Sequence, residues 1–225
     1  MRLLAALLLA STQLGPKPTA LISQGNGRIR AVAITFDAGA DRGFAPRILR
    51  TLEHMHVHVS FGMTGRWAQM NPDLVRRMAR DRDTFINHTY DHRSFTGLST
   101  RTGPLSRAQR IWEIDRANEI IKRLTRHSSK PYFRPPYGDY DAGTLTLVRQ
   151  LGYRYVVMWT IDSGGWQGLT APVILARCLA QVRPGAIIAM HVGSQSQDAF
   201  ALAPLIRALR HRHYRLVTIP HLLRH

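Results

Sequence analysis

His88 and His92, in Asn87-His88-Thr89-Tyr90-Asp91-His92, stand four residues apart. At that spacing two imidazoles project from the same side of a helical turn and can share one metal ion, typically zinc. Spacing alone selects little, because the chain has 11 histidines and repeats the interval at His54/His58 and His221/His225. The pair at 88 and 92 differs in following directly on the short apolar stretch Thr84-Phe85-Ile86, where a strand hands over to a loop. Asp37, Arg134, Asp162 and His191 likewise follow apolar runs. Together these residues read as one metal-dependent hydrolytic site, in which an ion polarises a carbonyl and acidifies bound water.

Seven apolar or β-rich runs can supply the positioning: 30–36, 57–63, 84–87, 131–133, 155–161, 186–190 and 215–219. Several are apolar on consecutive residues, the pattern of strands buried on both faces of a parallel sheet. Helix-like segments lie between them at 44–56, 72–81, 105–126, 142–151, 171–182 and 198–213. Pro72 and Pro104 stand where helix starts tolerate proline, and Gly152 and Gly185 where helices or loops end. Such alternation means a parallel α/β architecture, either a barrel or an open doubly wound sheet. The polar residues at successive run ends are Asp37, Thr64, His88, Arg134, Asp162 and His191. In a barrel they would meet at one mouth, whereas an open sheet would spread them along an edge. The expected fold is therefore a distorted seven-stranded parallel β/α barrel, similar to a TIM barrel.

Composition bounds the rest. A chain of 225 residues supports one substantial core, and no linker or repeat suggests a second domain. Arg2, the run Leu3 to Ala10, Ser11 and Thr12 fit a secretory leader over about residues 1–20, since the run is too short to span a bilayer. A leader implies secretion or an extracytoplasmic, cell-envelope location. Net charge is +17, from 31 Lys+Arg against 14 Asp+Glu, with lysine only at 17, 122 and 130. A basic surface favours polyanions such as an acidic envelope, but no nucleic-acid motif accompanies it, so no nucleic-acid partner is expected. The single cysteine, Cys178, is expected on a buried helix face and can form no intramolecular disulfide. A monomer is expected.

Five segments, read in order, carry a resemblance: Thr35-Phe36-Asp37-Ala38-Gly39-Ala40-Asp41, His88 to His92, Phe133-Arg134-Pro135-Pro136-Tyr137-Gly138, Trp159 to Trp166, and Met190-His191-Val192-Gly193. They resemble the signature motifs of the polysaccharide deacetylase family (NodB-like, carbohydrate esterase family 4), over roughly residues 28–225. The resemblance implies removal of N-acetyl groups from amino-sugar polymers by one divalent metal, zinc first and cobalt or nickel as alternatives. Peptidoglycan is the first expected substrate and chitin-type oligomers the second. By resemblance Asp37 is the base and His191 the acid that protonates the leaving amine. Arg134 and Asp162 support them, the arginine orienting Asp37 and lowering its pKa. The backbone N–H of Tyr137 joins in stabilising the oxyanion, and Trp166 with Met190 walls the acetyl slot. Plainer roles stand beside these: Arg134 as a structural ion-pair partner, Asp162 as a turn residue, Trp166 as packing.

Three departures touch particular roles. The family usually has a second, metal-binding aspartate where this chain has Ala38. Either Asp41 reaches the metal in its place through the turn at Gly39, which is the preferred reading, or the two histidines hold it with less protein charge. The acidic residue usual before the motif-four tryptophan is Gly165, which shifts its burden to Asp162, and the leucine usual two residues before the last histidine is Ala189. The alternative function is a catalytically silent carbohydrate-binding protein on the same fold.

Overall fold

The computed structural model describes residues 19–224. The expected leader lies outside the described residues except for Thr19 and Ala20. The strands are β1 (Ala20–Ile22), β2 (Ala31–Ala38), β3 (Ser60–Met63), β4 (Thr84–Asn87), β5 (Tyr132–Phe133), β6 (Tyr155–Val157), β7 (Ile161–Asp162), β8 (Ile187–His191) and β9 (Arg215–Leu216). They form one curled sheet in the order β1-β6-β5-β4-β3-β2-β8-β7, with β9 beside the start of β2. Every ladder between these strands is parallel. Parallel neighbours need crossovers. Helices supply most of them: α1 (Ala45–His54), α2 (Gly65–Met70), α3 (Pro72–Arg80), α4 (Arg107–Thr125), α5 (Ala142–Gln150), α6 (Ala171–Gln181) and α7 (Asp198–His211), followed by a terminal α8 (Ile219–Arg224).

The barrel-like α/β architecture is the expected one, and two of its parts are not. β1 joins the sheet upstream of the domain start expected at Arg28, pairing with β6. The run at 155–161, expected as one strand, is split into β6 and β7 toward opposite ends of the sheet, β7 at one edge and β6 beside β1 at the other. Between them the chain crosses a seam: Met158 N–H donates to Ile22 O (2.7 Å) on one side, and Thr160 N–H to Ile187 O (2.9 Å) on the other. The curl is thus closed by the passage of the chain and not by a β6–β7 ladder.

Strand alternation sorts the core. Val32, Ile34, Phe36 and Ala38 face the helices, whereas Ala31 and Ala33 face the lumen with Ile86, Val157 and Ile187. Thr35 and Asp37 continue the lumen-facing set toward the mouth, as a period of two requires. Ile219 and Leu222 of α8 pack against the same lumen group and close the barrel floor. Helix starts are set by local chemistry. Ser106 and Gln109 form a capping box on α4, as do Asp141 and Thr144 on α5. Pro104 therefore precedes the cap of α4, while Pro72 occupies the first turn of α3. Cys178 is fully buried, and burial pushes its thiol pKa up to about 12, which leaves it unreactive.

Candidate active site

The ends of β2, β4, β5 and β8 converge on one cleft. Asp37, at the end of β2, is paired in register with Gly62 of β3 and His191 of β8. Arg134, immediately after β5, is fully buried in the lumen and donates from Nη1 to Asp37 Oδ1 at 2.6 Å. The remaining guanidinium bonds fix it rigidly: Thr35 Oγ1 at 3.0 and 3.1 Å, Val157 O at 2.9 Å and Met158 O at 3.3 Å. Burial pushes the Asp37 pKa up, but Arg134, His88 and His191 outweigh it, and the net shift is downward. Asp37 is therefore ionised at neutral pH, with Oδ1 held and Oδ2 available.

His88 and His92 come together on a bend and not on the helical turn that their spacing suggested. Thr89 and His92 both take φ of +67°, and the His92 N–H donates to Thr89 Oγ1 (3.2 Å). The bend is held from beneath by Glu113 of α4, buried, whose Oε2 accepts the N–H groups of Tyr90 (2.9 Å) and Asp91 (3.1 Å). The two imidazole centroids are 4.7 Å apart. His88 Nδ1 lies 2.8 Å from Arg134 O, so it carries the proton and presents a lone pair on Nε2. That Nε2 is buried, has no hydrogen-bond partner, and stands 3.9 Å from Asp37 Oδ2. Burial lowers the pKa of both histidines, His92 to about 3, so both are neutral ligand-type imidazoles at physiological pH.

His191 stands across the cleft. Burial disfavours its charged form, but the Asp198 carboxylate, with help from Asp37, reverses the balance and its pKa is raised. An ionised carboxylate and a proton-bearing imidazole thus face one space, as base and acid for hydrolysis. The cleft has two adjoining lobes of about 360 and 690 Å³, both lined by Asp37, His88, His92, Trp166 and His191. Trp166 (56% exposed) and Tyr137 (51% exposed, φ +59°) present aromatic faces at the mouth. The Tyr137 ring packs edge-on to His92 at 4.5 Å. The irregular segment 93–103 contributes Ser99 to the larger lobe.

Three expected roles meet a different geometry. Asp41 lines the smaller lobe, but both its carboxylate oxygens are taken by Ser194, one by its N–H (2.9 Å) and one by its hydroxyl. Among the described residues no three His, Cys, Asp or Glu side chains converge as a metal-holding set, and the Asp41 carboxylate is engaged by Ser194. Met190 is fully buried among the helix-facing residues, because strand parity turns it away from the lumen; Ala189 lines the cleft instead. Asp162 does not touch Arg134. Its carboxylate accepts from Gly164 N–H (2.8 Å) and from Trp166 Nε1–H (3.0 Å), so it anchors the tryptophan at the rim. Gly62, Glu113 and Asp198 escaped the sequence reading. A carboxylate at the start of a helix, as Asp198 is, reads as an ordinary first-turn residue.

Comparison with known proteins matches the arrangement to a family. A polysaccharide deacetylase family model covers residues 24–156. The peptidoglycan-N-acetylglucosamine deacetylase of Bacillus cereus is 30% identical over 192 residues, 84% of this chain and 66% of that protein. A chitooligosaccharide deacetylase of Sinorhizobium fredii is 29% identical over 84% of this chain and 90% of its own length. Among solved structures, the peptidoglycan N-acetylglucosamine deacetylase Bc1960 superposes with a TM-score of 0.83 at 28% identity, covering 91% of this chain and 92% of that one. A family pseudoenzyme from Bacillus anthracis superposes at 0.81 with 26% identity, over 93% of this chain and 69% of that one. With its curled parallel barrel, its histidine pair at the mouth and these matches, the chain belongs to the polysaccharide deacetylase family.

Proposed function

We propose that this protein is a metal-dependent N-deacetylase of amino-sugar polymers, with peptidoglycan as its substrate class and acetate as a product. The observation that carries this reading is the buried, unpartnered Nε2 of His88, set between the neutral His92 ring and the free oxygen of Asp37. A buried nitrogen lone pair without a partner is costly, and a divalent cation relieves it. Two neutral imidazoles suit zinc, with cobalt or nickel as substitutes. His88 and His92 would hold the ion. When bound it supplies Lewis-acid polarisation of the acetyl carbonyl and acidification of water.

The protein's own groups carry the protons. Asp37 Oδ2 accepts one proton from the attacking water, whose oxygen bonds to the acetyl carbon. His191 donates one to the sugar nitrogen as the C–N bond breaks, leaving acetate and a free amine. Arg134 keeps Asp37 ionised and fixed, and the Tyr137 backbone N–H would stabilise the developing oxyanion. Trp166, tied to Asp162, and Ala189 bound the acetyl slot in place of Met190. The substrate class follows from the relatives' activities and from a net charge of +17, which suits an anionic envelope outside the cytoplasm.

A second reading has one specific support. Ala38 lies in the helix-facing core, Asp41 is held by Ser194, and the fold is shared with a pseudoenzyme, as a silent sugar-binding protein requires. Metal content beside acetate release separates the two. One equivalent of zinc in the wild type, lost in His88→Ala, with chelator-sensitive acetate release from peptidoglycan, supports the deacetylase. Sugar binding with neither metal nor acetate overturns it.

A further inference from the structure

Gly165 stands where the family pattern has a carboxylate next to the tryptophan, yet the space over it is filled. A Cβ built on Gly165 would fall 2.6 Å from Asp198 Cγ and closer still to Asp198 Oδ2 and Ser196 Oγ. The carboxylate in that volume comes from the first residue of α7 and is fully buried. Its Oδ2 accepts from His191 N–H (2.7 Å), Ser196 Oγ (2.8 Å) and Ser163 Oγ (3.0 Å). The same oxygen lies 3.5 Å from His191 Nδ1, a buried nitrogen with no hydrogen-bond partner, and Asp198 Oδ1 is also buried without one.

A favourable charge at the start of a helix explains an aspartate at 198. It does not explain why two hydroxyls and a backbone N–H turn this carboxylate inward against an imidazole, at the desolvation cost of a buried charge. A role for the imidazole does. We propose that Asp198 is the positioning residue of His191, supplying from α7 the carboxylate that position 165 lacks. It holds Nδ1 as the protonated nitrogen facing α7 and leaves Nε2 facing the cleft. The carboxylate has changed its place in the sequence while keeping its place in space. Gly165 and Asp198 are therefore a coupled pair: a side chain at 165 cannot coexist with the present Asp198 rotamer.

The proposal rests on the deacetylase reading for its kinetic part only. Three variants test it: Asp198→Asn, Asp198→Ala, and Gly165→Asp combined with Asp198→Ala. Loss of the carboxylate lowers kcat by about 100-fold, at the low end of what a general acid contributes, with KM and zinc content within about twofold. Returning a carboxylate at 165 restores at least about tenfold of that loss, which general destabilisation would not allow. Independently of turnover, ring ¹⁵N shifts of His191 report the Nδ1–H form in the wild type and its loss in Asp198→Asn. The proposal is overturned if Asp198→Asn keeps both the wild-type kcat and the wild-type ring shifts. A folded, zinc-loaded double variant no faster than Asp198→Ala overturns it equally. A wild type that releases no acetate defeats the deacetylase reading alone, and the ring shifts then decide this one.

Discussion

Replacing Gly62 with alanine probes whether the position of the Asp37 carboxylate, and not merely its presence, sets the rate. A Cβ on Gly62 would lie 2.4 Å from Asp37 Oδ1, 3.4 Å from Asp37 Cγ and 3.8 Å from Arg134 Nη1. An ordinary carbon–oxygen contact is about 3.3 Å or more, so the carboxylate must retreat by about 1 Å. It cannot swing away freely, because Oδ1 is gripped by Arg134, which four further bonds to Thr35, Val157 and Met158 hold in place. Overpacking of this kind costs about 1–3 kcal/mol of stability, partly offset by the lower chain entropy of alanine. A displacement of about 1 Å at a reacting group costs about 100-fold in rate, or about 2.7 kcal/mol of barrier. The expected result is a kcat down about 100-fold, a KM near the wild type, zinc retained and a modest fall in melting temperature. Gly103→Ala serves as the control, since its Cβ would meet nothing within 4 Å. Acetate release and thermal melting measure both. A folded Gly62→Ala protein with wild-type kcat would refute Asp37 as the base.

Asp41→Ala should keep its zinc and most of its activity, because its carboxylate is committed to Ser194; loss of metal in this variant would restore Asp41 as a ligand. The raised pKa of His191 predicts that the alkaline limb of kcat/KM lies above histidine's ordinary value of about 6.5, and a limb below that value contradicts it. The same shift predicts stability that is complete below the unfolded pKa and declines as pH rises through the folded one, by melting temperature against pH. Trp166→Ala should raise KM several-fold with a smaller change in kcat, since the indole bounds the cleft and its one hydrogen bond goes to Asp162 at the rim; an unchanged KM would show that the rim does not hold the sugar.

The alternation of runs carried the fold, because parallel strands buried on both faces write themselves as unbroken apolar stretches. The break between β6 and β7 was illegible for the same reason: apart from Thr160, Val156 to Ile161 stays apolar or aromatic while the backbone changes partners. Strand parity could have corrected Met190. His191 and Ala189 share a face, as do Asp37 and Thr35, and a residue between them must point the other way. Asp37, His88, Arg134 and His191 were readable because each closes a strand and so arrives at the mouth. Asp198 and Glu113 were not. They reach the site from helices, and their direction is decided by partners far away in sequence. Asp41 lies beside the cleft after the turn at Gly39, and its hydrogen bonds to Ser194, distant in sequence, could not be read from the chain.

The parallel sheet also gives the molecule an orientation. β1 runs parallel to β6, so its first residue, Ala20, lies at the floor that α8 closes, opposite the cleft. The cleft and this floor are thus opposite faces of the barrel, and a polymer meets the molecule on the side away from Ala20 and α8.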